Sequence, residues 1–520
     1  MAALANVMFA EGIAKVEPRI ASHMNGLDEF RAAVQPFTPE RVTAATGVPA
    51  ETIVRIAREM CAAPTCAVYG RIGVNTVEFG STNAWLVNAL SIITGNFDKR
   101  GGDMFTTPAA GGASTRGTAG KGKGFQTGRG HSRVSNKPEV LGEYPVAVLA
   151  EEILTPGENQ IRAAITVAGN PVLSTPHSEQ LDRALADLEF MVSIDIYLNE
   201  TTRHADVILP PPSALEKDHY DVGLYVYAVR NIANYSEPVL QKDADSPEEW
   251  EILVKMGAIL QGLGTDVDPA VMDDHNIFAT VTSTVATSSS NISGRDADEI
   301  LTMLNKDGRR GTARMLDFML QTGPYGAAFG AHPTGLSLDV LLANPHGVDL
   351  GALEPRIPEG LRTPTGMIEL SPPLLIADLV RLEASIDKAD DSQMLLVGRR
   401  ELKSNNSWMH NIKVLTKGSL SCTAHVHPDD AARLGLSDGS TVRITSRVGS
   451  VDAPVEVTDS VRQGVVSLPH GWGHGVAGTQ MNVAAEKAGV NSNILTDDQV
   501  MDPLSGNAAL NAIPVTLQPA

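Results

Sequence analysis

AAITVAGNPVLSTPHSEQLDRALADLEFMVSIDIYLNETTRHADVILP, residues 163–210, is the stretch that decides the fold. Its first seven residues form a short apolar run closed by Gly169-Asn170-Pro171, which reads as a strand ending in a turn. From about Ser178 to Leu188 the period changes, with Leu181, Ala184 and Leu188 on one face of a helix. FMVSID is a second strand ending at Asp195, and ADVILP a third ending at Pro210. Strands joined by a helical crossover run parallel, and parallel sheets bind ligands beyond the carboxyl ends of their strands. Asn170 and Asp195 stand at those ends. An acid at the end of a second strand commonly accepts hydrogen bonds from ribose hydroxyls, although Asp195 serves equally well as a turn cap. The phosphate-binding GxGxxG is absent.

Upstream, Thr38-Pro39 predicts an N-cap and first helical residue, and Gly47 a stop. A helix starting near Pro49 carries Ile53, Ile56, Ala57 and Met60 as its apolar stripe. CAVYG, residues 66–70, reads as a buried strand running into the turn RIGVNT, followed by a helix from Asn83 to Ile93. Eight of the twenty residues from Gly111 to Gly130 are glycine, and 104–138 holds six Lys or Arg and no acid. That segment is either a surface loop or a cationic loop closing over an anionic ligand, with Arg116 and His131 within reach of substrate.

Downstream, TSTVATSSSNIS reads as a loop and DADEILTMLNKDG as a helix, and proline and glycine recur from Thr322 to Pro373 as a long surface excursion. SIDKADDSQ, near 385–393, reads as a linker. From Met394 short β-branched strands alternate with turns at Asp438-Gly439 and Gly449, the signature of a terminal β-barrel.

The 520 residues are enough for three or four domains, and the net charge of −20 argues against a general nucleic-acid partner. No apolar run approaches the roughly 20 residues that span a bilayer, and the amino terminus has no basic, cleavable leader pattern, so the expected compartment is cytoplasmic. Three cysteines (Cys61, Cys66 and Cys422) exclude a disulfide framework and a four-cysteine iron–sulfur cluster within this chain. His425 and His427 share a strand face, and His470 and His474 flank Trp472. Hydrogen bonding in barrel loops suits these rings better than a zinc site, which would need further converging ligands. Trp408 and Trp472 suit either packing or the shielding of a planar ligand.

In order along the chain, IITGNFDKRGG (92–102), GNPVLSTP (169–176), DIYLNETTRHADVILPPPSALEKD (195–218), HPDDAARLGLSDGSTVRITSRVGS (427–450), GVVSLPHGWG (464–473) and NILTDDQVMDPLSGNAALNAIPV (493–515) occur together. Through these segments the chain resembles the molybdopterin oxidoreductases of the dimethyl sulfoxide reductase and formate dehydrogenase superfamily. The resemblance implies an α/β fold of Rossmann-like parallel-sheet domains followed by a β-barrel. It implies a partial α/β molybdopterin-binding domain at 1–150, a second Rossmann-like domain at 151–320, an irregular connection at 321–390 and a dinucleotide-binding barrel at 391–520.

It also implies an oxidoreductase that holds molybdenum or tungsten through two molybdopterin guanine dinucleotides and passes electrons between a small substrate and an acceptor. Residue by residue, the cofactor contacts it implies are Ile72, Thr76 (often Gln in the family), Asn170, Asp195, Lys217 and Glu249 (often Asp). In the barrel they are Gly398, Arg399, Ser404, Asn405, Asn406, Asn493 and Asn511. The segment that carries the family's metal-ligating residue lies upstream of the matched part, so no catalytic residue is assigned and the chain is expected to be incomplete. A separate amino-terminal half or an electron-transfer subunit is the implied partner. The alternative is a non-catalytic subunit or remnant that binds molybdopterin or guanine nucleotide; a metal-free α/β protein is a third reading.

Overall fold

The helix Pro39–Thr46 has both ends set by its caps. Thr38 accepts a hydrogen bond from the Arg41 N–H, Pro39 opens the helix Pro39–Thr46, and Gly47 closes it at φ 61. The helix Ala50–Ala62 buries Ile53, Ala57 and Cys61, spaced four apart on one face. Against them pack the helices Ala2–Ala10, Leu27–Val34 and Gly80–Ile93, with Phe30 edge-on to Trp85 at 5.3 Å between centroids. The computed structural model describes residues 1–115, 117–387, 393–418 and 421–520. Arg116 and the 388–392 portion of the expected linker, including the 390/391 boundary, lie outside the described residues.

Residues 163–210 carry a three-stranded parallel sheet: β1 (Ala163–Val167), β2 (Phe190–Ile194) and β3 (Val207–Ile208), with β2 central. The crossover helix Ser178–Ala186 buries Leu181, Ala184 and Leu185 on that sheet. β3 is short because Pro210, Pro211 and Pro212 follow it and offer no N–H to a ladder.

The carboxyl-terminal unit is a closed six-stranded barrel of β4 (Met394–Arg399), β5 (Ala424–Val426), β6 (Thr441–Thr445), β7 (Ser450–Val457), β8 (Val465–Pro469) and β9 (Ile513–Pro519), in the order β4-β8-β5-β7-β6-β9. Two pairings, β4 with β8 and β5 with β7, are parallel and the rest antiparallel. Inward residues alternate along each strand: Val442 and Ile444, then Val451, Ala453 and Val455, fill the interior.

Three features depart from the local pattern. Residues 66–70 form no strand; Tyr69 is 80% exposed, and among the described residues no strand pairs with the extended segment. TSTVATSSSNIS is helical at its start, because the helix Pro269–Val285, capped by Asp268, runs through it. The segment 321–390 contains the helix Pro373–Ile386 and returns to the first core. There Ile357, Leu370 and Leu379 are buried with Phe30 and Ile93, and Ile368–Glu369 pairs in parallel with Met24–Asn25.

Asp98 holds that return. Fully buried, it accepts from Arg19 Nη1 (2.8 Å) and from the backbone N–H groups of Arg356 and Ile357 (2.8 Å each). Asp98→Ala leaves a cation and two amides without their acceptor, and is expected to lower unfolding stability by about 3 kcal/mol in chemical denaturation. An unchanged denaturation midpoint would contradict this role.

A cationic cleft between sheet and barrel

The carboxyl end of β1, the turn Ile72–Val74 and the open end of the barrel enclose a cleft of about 750 Å³. Its wall takes Ala168, Gly169 and Asn170 from the sheet; Gly398, Asn405, Asn406 and Trp408 from the segment after β4; His470 and Gly471 after β8; and Asn493, Leu510 and Asn511 from the barrel's last loops.

Local backbone strain gathers here. Ala168 (φ 52), Asn405 (φ 40) and Asn406 (φ 61) all adopt the left-handed conformation, which costs about 1–3 kcal/mol each in non-glycine residues. Gly471 allows the two barrel turns to touch, since a Cβ there would lie 2.3 Å from the Asn406 carbonyl oxygen. The side-chain amides of Asn405 and Asn406 make no hydrogen bond among the described residues. Asn511 spans the cleft's edge: its Oδ1 accepts from the Gly398 N–H (2.8 Å) and its Nδ2 donates to Thr76 Oγ1 (2.7 Å). Asn493 Nδ2 donates to the Leu173 carbonyl at 2.7 Å.

The electrostatics oppose those of the chain as a whole. Arg71 and Arg400 line the cleft, no Asp or Glu does, and neither arginine meets a carboxylate among the described residues. Arg400 Nη1 donates to His470 Nε2 at 2.9 Å. Burial, with the Arg400 charge, pushes His470 down to about 4, so at neutral pH it is an uncharged acceptor and the guanidinium charge stands. Behind the wall, His410 stacks on Trp472 with centroids 3.9 Å apart, and burial first, then the neighbouring His474, pushes it also to about 4.

Of the residues expected to contact a cofactor, the structure brings Ile72, Thr76, Asn170, Gly398, Asn405, Asn406, Asn493 and Asn511 to this one cleft. The other five lie away from its lining. Asp195 is buried and caps its own turn, accepting from the Tyr197 N–H (2.9 Å) and Asn199 Nδ2 (3.2 Å), and burial pushes its carboxyl up. Lys217 and Glu249 pair with each other at 2.5 Å. Arg399 donates to the carbonyls of Ser467, Ser421 and Thr423, and Ser404 Oγ to that of Glu401. Arg71 and Arg400 went unassigned in the sequence, each one residue from an assigned position. His425 pairs with Glu456, and His427 Nδ1 accepts from the Asp429 N–H at the start of a helix. Among the described residues no three His, Cys, Asp or Glu form a metal-holding group. Nor is any described helix long and apolar enough to cross a membrane.

Comparison with known proteins gives two family matches, "Molybdopterin oxidoreductase" over residues 4–258 and "Molydopterin dinucleotide binding domain" over residues 394–514. Together they cover well over half of the chain. The chain is 24% identical to the F420-dependent formate dehydrogenase 2 subunit alpha of Methanococcus maripaludis, covering 89% of this chain and 62% of that protein. It is 23% identical to the dimethyl sulfoxide/trimethylamine N-oxide reductase of Rhodobacter capsulatus, covering 87% and 55%. The chain therefore spans less than two thirds of these relatives. Among solved structures, the acetylene hydratase of Pelobacter acetylenicus shares the fold with a TM-score of 0.72 at 16% identity, over 100% of this chain and 70% of that one.

The two depressed histidines set a pH dependence. Between pH 6.5 and about 4 the unfolded chain binds protons at His410 and His470 that the folded chain refuses, so stability falls as pH drops through that window. For buried His410 this amounts to roughly 3 kcal/mol between pH 7 and 4. Denaturation of His410→Asn at both pH values should show a correspondingly shallower dependence; a slope equal to the wild type's would contradict it.

Proposed function

The chain belongs to the molybdopterin oxidoreductase family, and from that premise we propose that its cleft holds molybdopterin guanine dinucleotide as part of an oxidoreductase of formate dehydrogenase-like or related type. The observation that carries this reading is the wall itself: among the described residues, two guanidinium groups without carboxylate partners, no acid, and a run of Asn, Ser, Thr and Gly, in a chain of net charge −20.

Each part of the wall suits a part of that ligand. Guanidinium forks match phosphate oxygens in geometry and charge, so Arg71 and Arg400 would take the pyrophosphate. Asn405 and Asn406, with amides free to donate and accept, suit the edges of a guanine or pterin ring. Trp408 offers a flat face to the same rings. Asn511 and Thr76 spend their polar groups on each other and on Gly398, and so hold the rim rather than the ligand.

When bound, the group would supply the molybdenum or tungsten through which electrons pass between a small substrate and an acceptor. This chain's residues bind and orient it and bring positive charge to its phosphates. A partner subunit for electron transfer is supported by relatives named as alpha subunits. The proposed compartment is cytoplasmic.

Purified from a host that makes the cofactor, the protein should release a fluorescent pterin after acid oxidation. Arg71→Ala combined with Arg400→Ala should cut the retained pterin at least about tenfold, as loss of charge-assisted contacts to phosphate implies. Equal retention in that variant would contradict the assignment. Pterin retained without turnover would favour the non-catalytic binding role.

A further inference from the structure

Behind the cleft, five side chains from both halves of the molecule are joined by hydrogen bonds. Asn170 Nδ2 donates to Glu200 Oε2 at 2.8 Å, and Asn170 Oδ1 accepts from Thr201 Oγ1 at 2.7 Å. The other Glu200 oxygen accepts from His474 Nδ1 at 3.0 Å, and His474 Nε2 shares a hydrogen bond with His410 Nδ1 at 2.9 Å. Glu200 and His474 are fully buried, and Asn170 and His410 nearly so. Asn170 and Glu200 belong to the α/β domain, whereas His410 and His474 belong to the barrel half.

We propose that Glu200 and His474 are positioning residues for the cleft: they fix the orientation of the Asn170 amide in its floor and tie that floor to the barrel wall. The inference deepens the dinucleotide reading and rests on it for the identity of the ligand, but its geometry stands apart. A carboxylate offers only acceptors, so Asn170 must present its NH₂ to Glu200 and its carbonyl to Thr201. The amide is thereby spent, and Asn170 meets the cleft as a fixed surface at the turn after β1.

The same carboxylate requires a proton on His474 Nδ1. Burial alone would raise the Glu200 carboxyl, but the hydrogen bond and charge of His474, with the Asn170 amide, hold it below its usual range. Arg203, three residues on, commits its guanidinium to Asp182 at 2.6 and 2.7 Å, so among the described residues His474 is the ionisable side chain that meets this buried carboxylate. The barrel end of the chain is braced by the stack of His410 on Trp472. A shift of the barrel relative to the sheet would have to break a buried charge-assisted hydrogen bond, which makes the wall and floor of the cleft one rigid unit.

The test uses the full chain with ¹⁵N-labelled histidine and asparagine at pH 7. His474 Nδ1 should be protonated, and the Asn170 side-chain amide should exchange slowly with solvent. Glu200→Ala and His474→Ala should abolish the slow exchange. His474→Asn, whose amide can donate in place of Nδ1, should restore it. With GDP as the probe, Glu200→Ala and His474→Ala should bind about tenfold more weakly than wild type, and His474→Asn within about twofold. A bare His474 Nδ1, or an Asn170 amide still protected in His474→Ala, would overturn the proposal. So would full GDP affinity in a variant that has lost Asn170 protection. Failure of wild-type protein to bind GDP would instead overturn the dinucleotide reading, leaving the positioning role to be judged by the ring and amide signals alone.

Discussion

The cleft exists because the barrel is pinned to the carboxyl end of the parallel sheet by buried amides. Asn491 Nδ2 donates to the Val172 carbonyl (3.0 Å) and to Ser178 Oγ (2.6 Å), and Asn493 Nδ2 donates to the Leu173 carbonyl. The acceptors Val172 and Leu173 lie in the first turn after Gly169-Asn170-Pro171, and Ser178 opens the crossover helix, just where a parallel sheet leaves its ligand end open. An asparagine left unpaired in that interface would cost about 1–3 kcal/mol, so the seam has one register. The sheet and barrel walls of the cleft are placed by that register, and Asn511 ties the turn Ile72–Val74 to them through Thr76.

Once the two units are joined, charge does the rest. Elsewhere arginines meet acids, as in buried Arg314 with Asp273 and Arg447 with Asp497. Arg71 and Arg400 are left facing a cleft without an acid, where low-dielectric walls concentrate their field. His470 sharpens this arrangement: as a neutral acceptor it aims the Arg400 guanidinium without cancelling its charge. A phosphate-bearing ligand is the chemistry such a wall selects.

Local patterns made much of this legible. The strand–helix–strand periodicity placed β1, its crossover helix and β2, and Thr38-Pro39 and Gly47 marked real helix ends. Asp268-Pro269 carries the same cap signal as Thr38-Pro39, yet the serines and threonines after it read as a loop. Tertiary packing of Ile277 and Val281 overrides their weak helix propensity. The return of 357–386 to the first core was illegible, because the contacts of Asp98 with Arg356 and Ile357 span some 258 residues. At the cleft, the asparagines were readable by position, but direction was not. Arg399 and Arg400 are adjacent, and adjacent residues at a strand's end point to opposite sides, one into barrel carbonyls and the other into the cleft. Lys217 and Glu249 each suit a cofactor contact alone; only the fold shows that they meet each other.

The central claim is that the seam between sheet and barrel is a dinucleotide site. Native mass spectrometry of the protein purified from a cofactor-producing host measures this most directly. The account predicts a species heavier than the 55.0 kDa polypeptide by the mass of at least one pterin guanine dinucleotide, released as that ion on activation. A spectrum holding only the bare polypeptide mass, from a host in which a related enzyme is fully loaded, would contradict it.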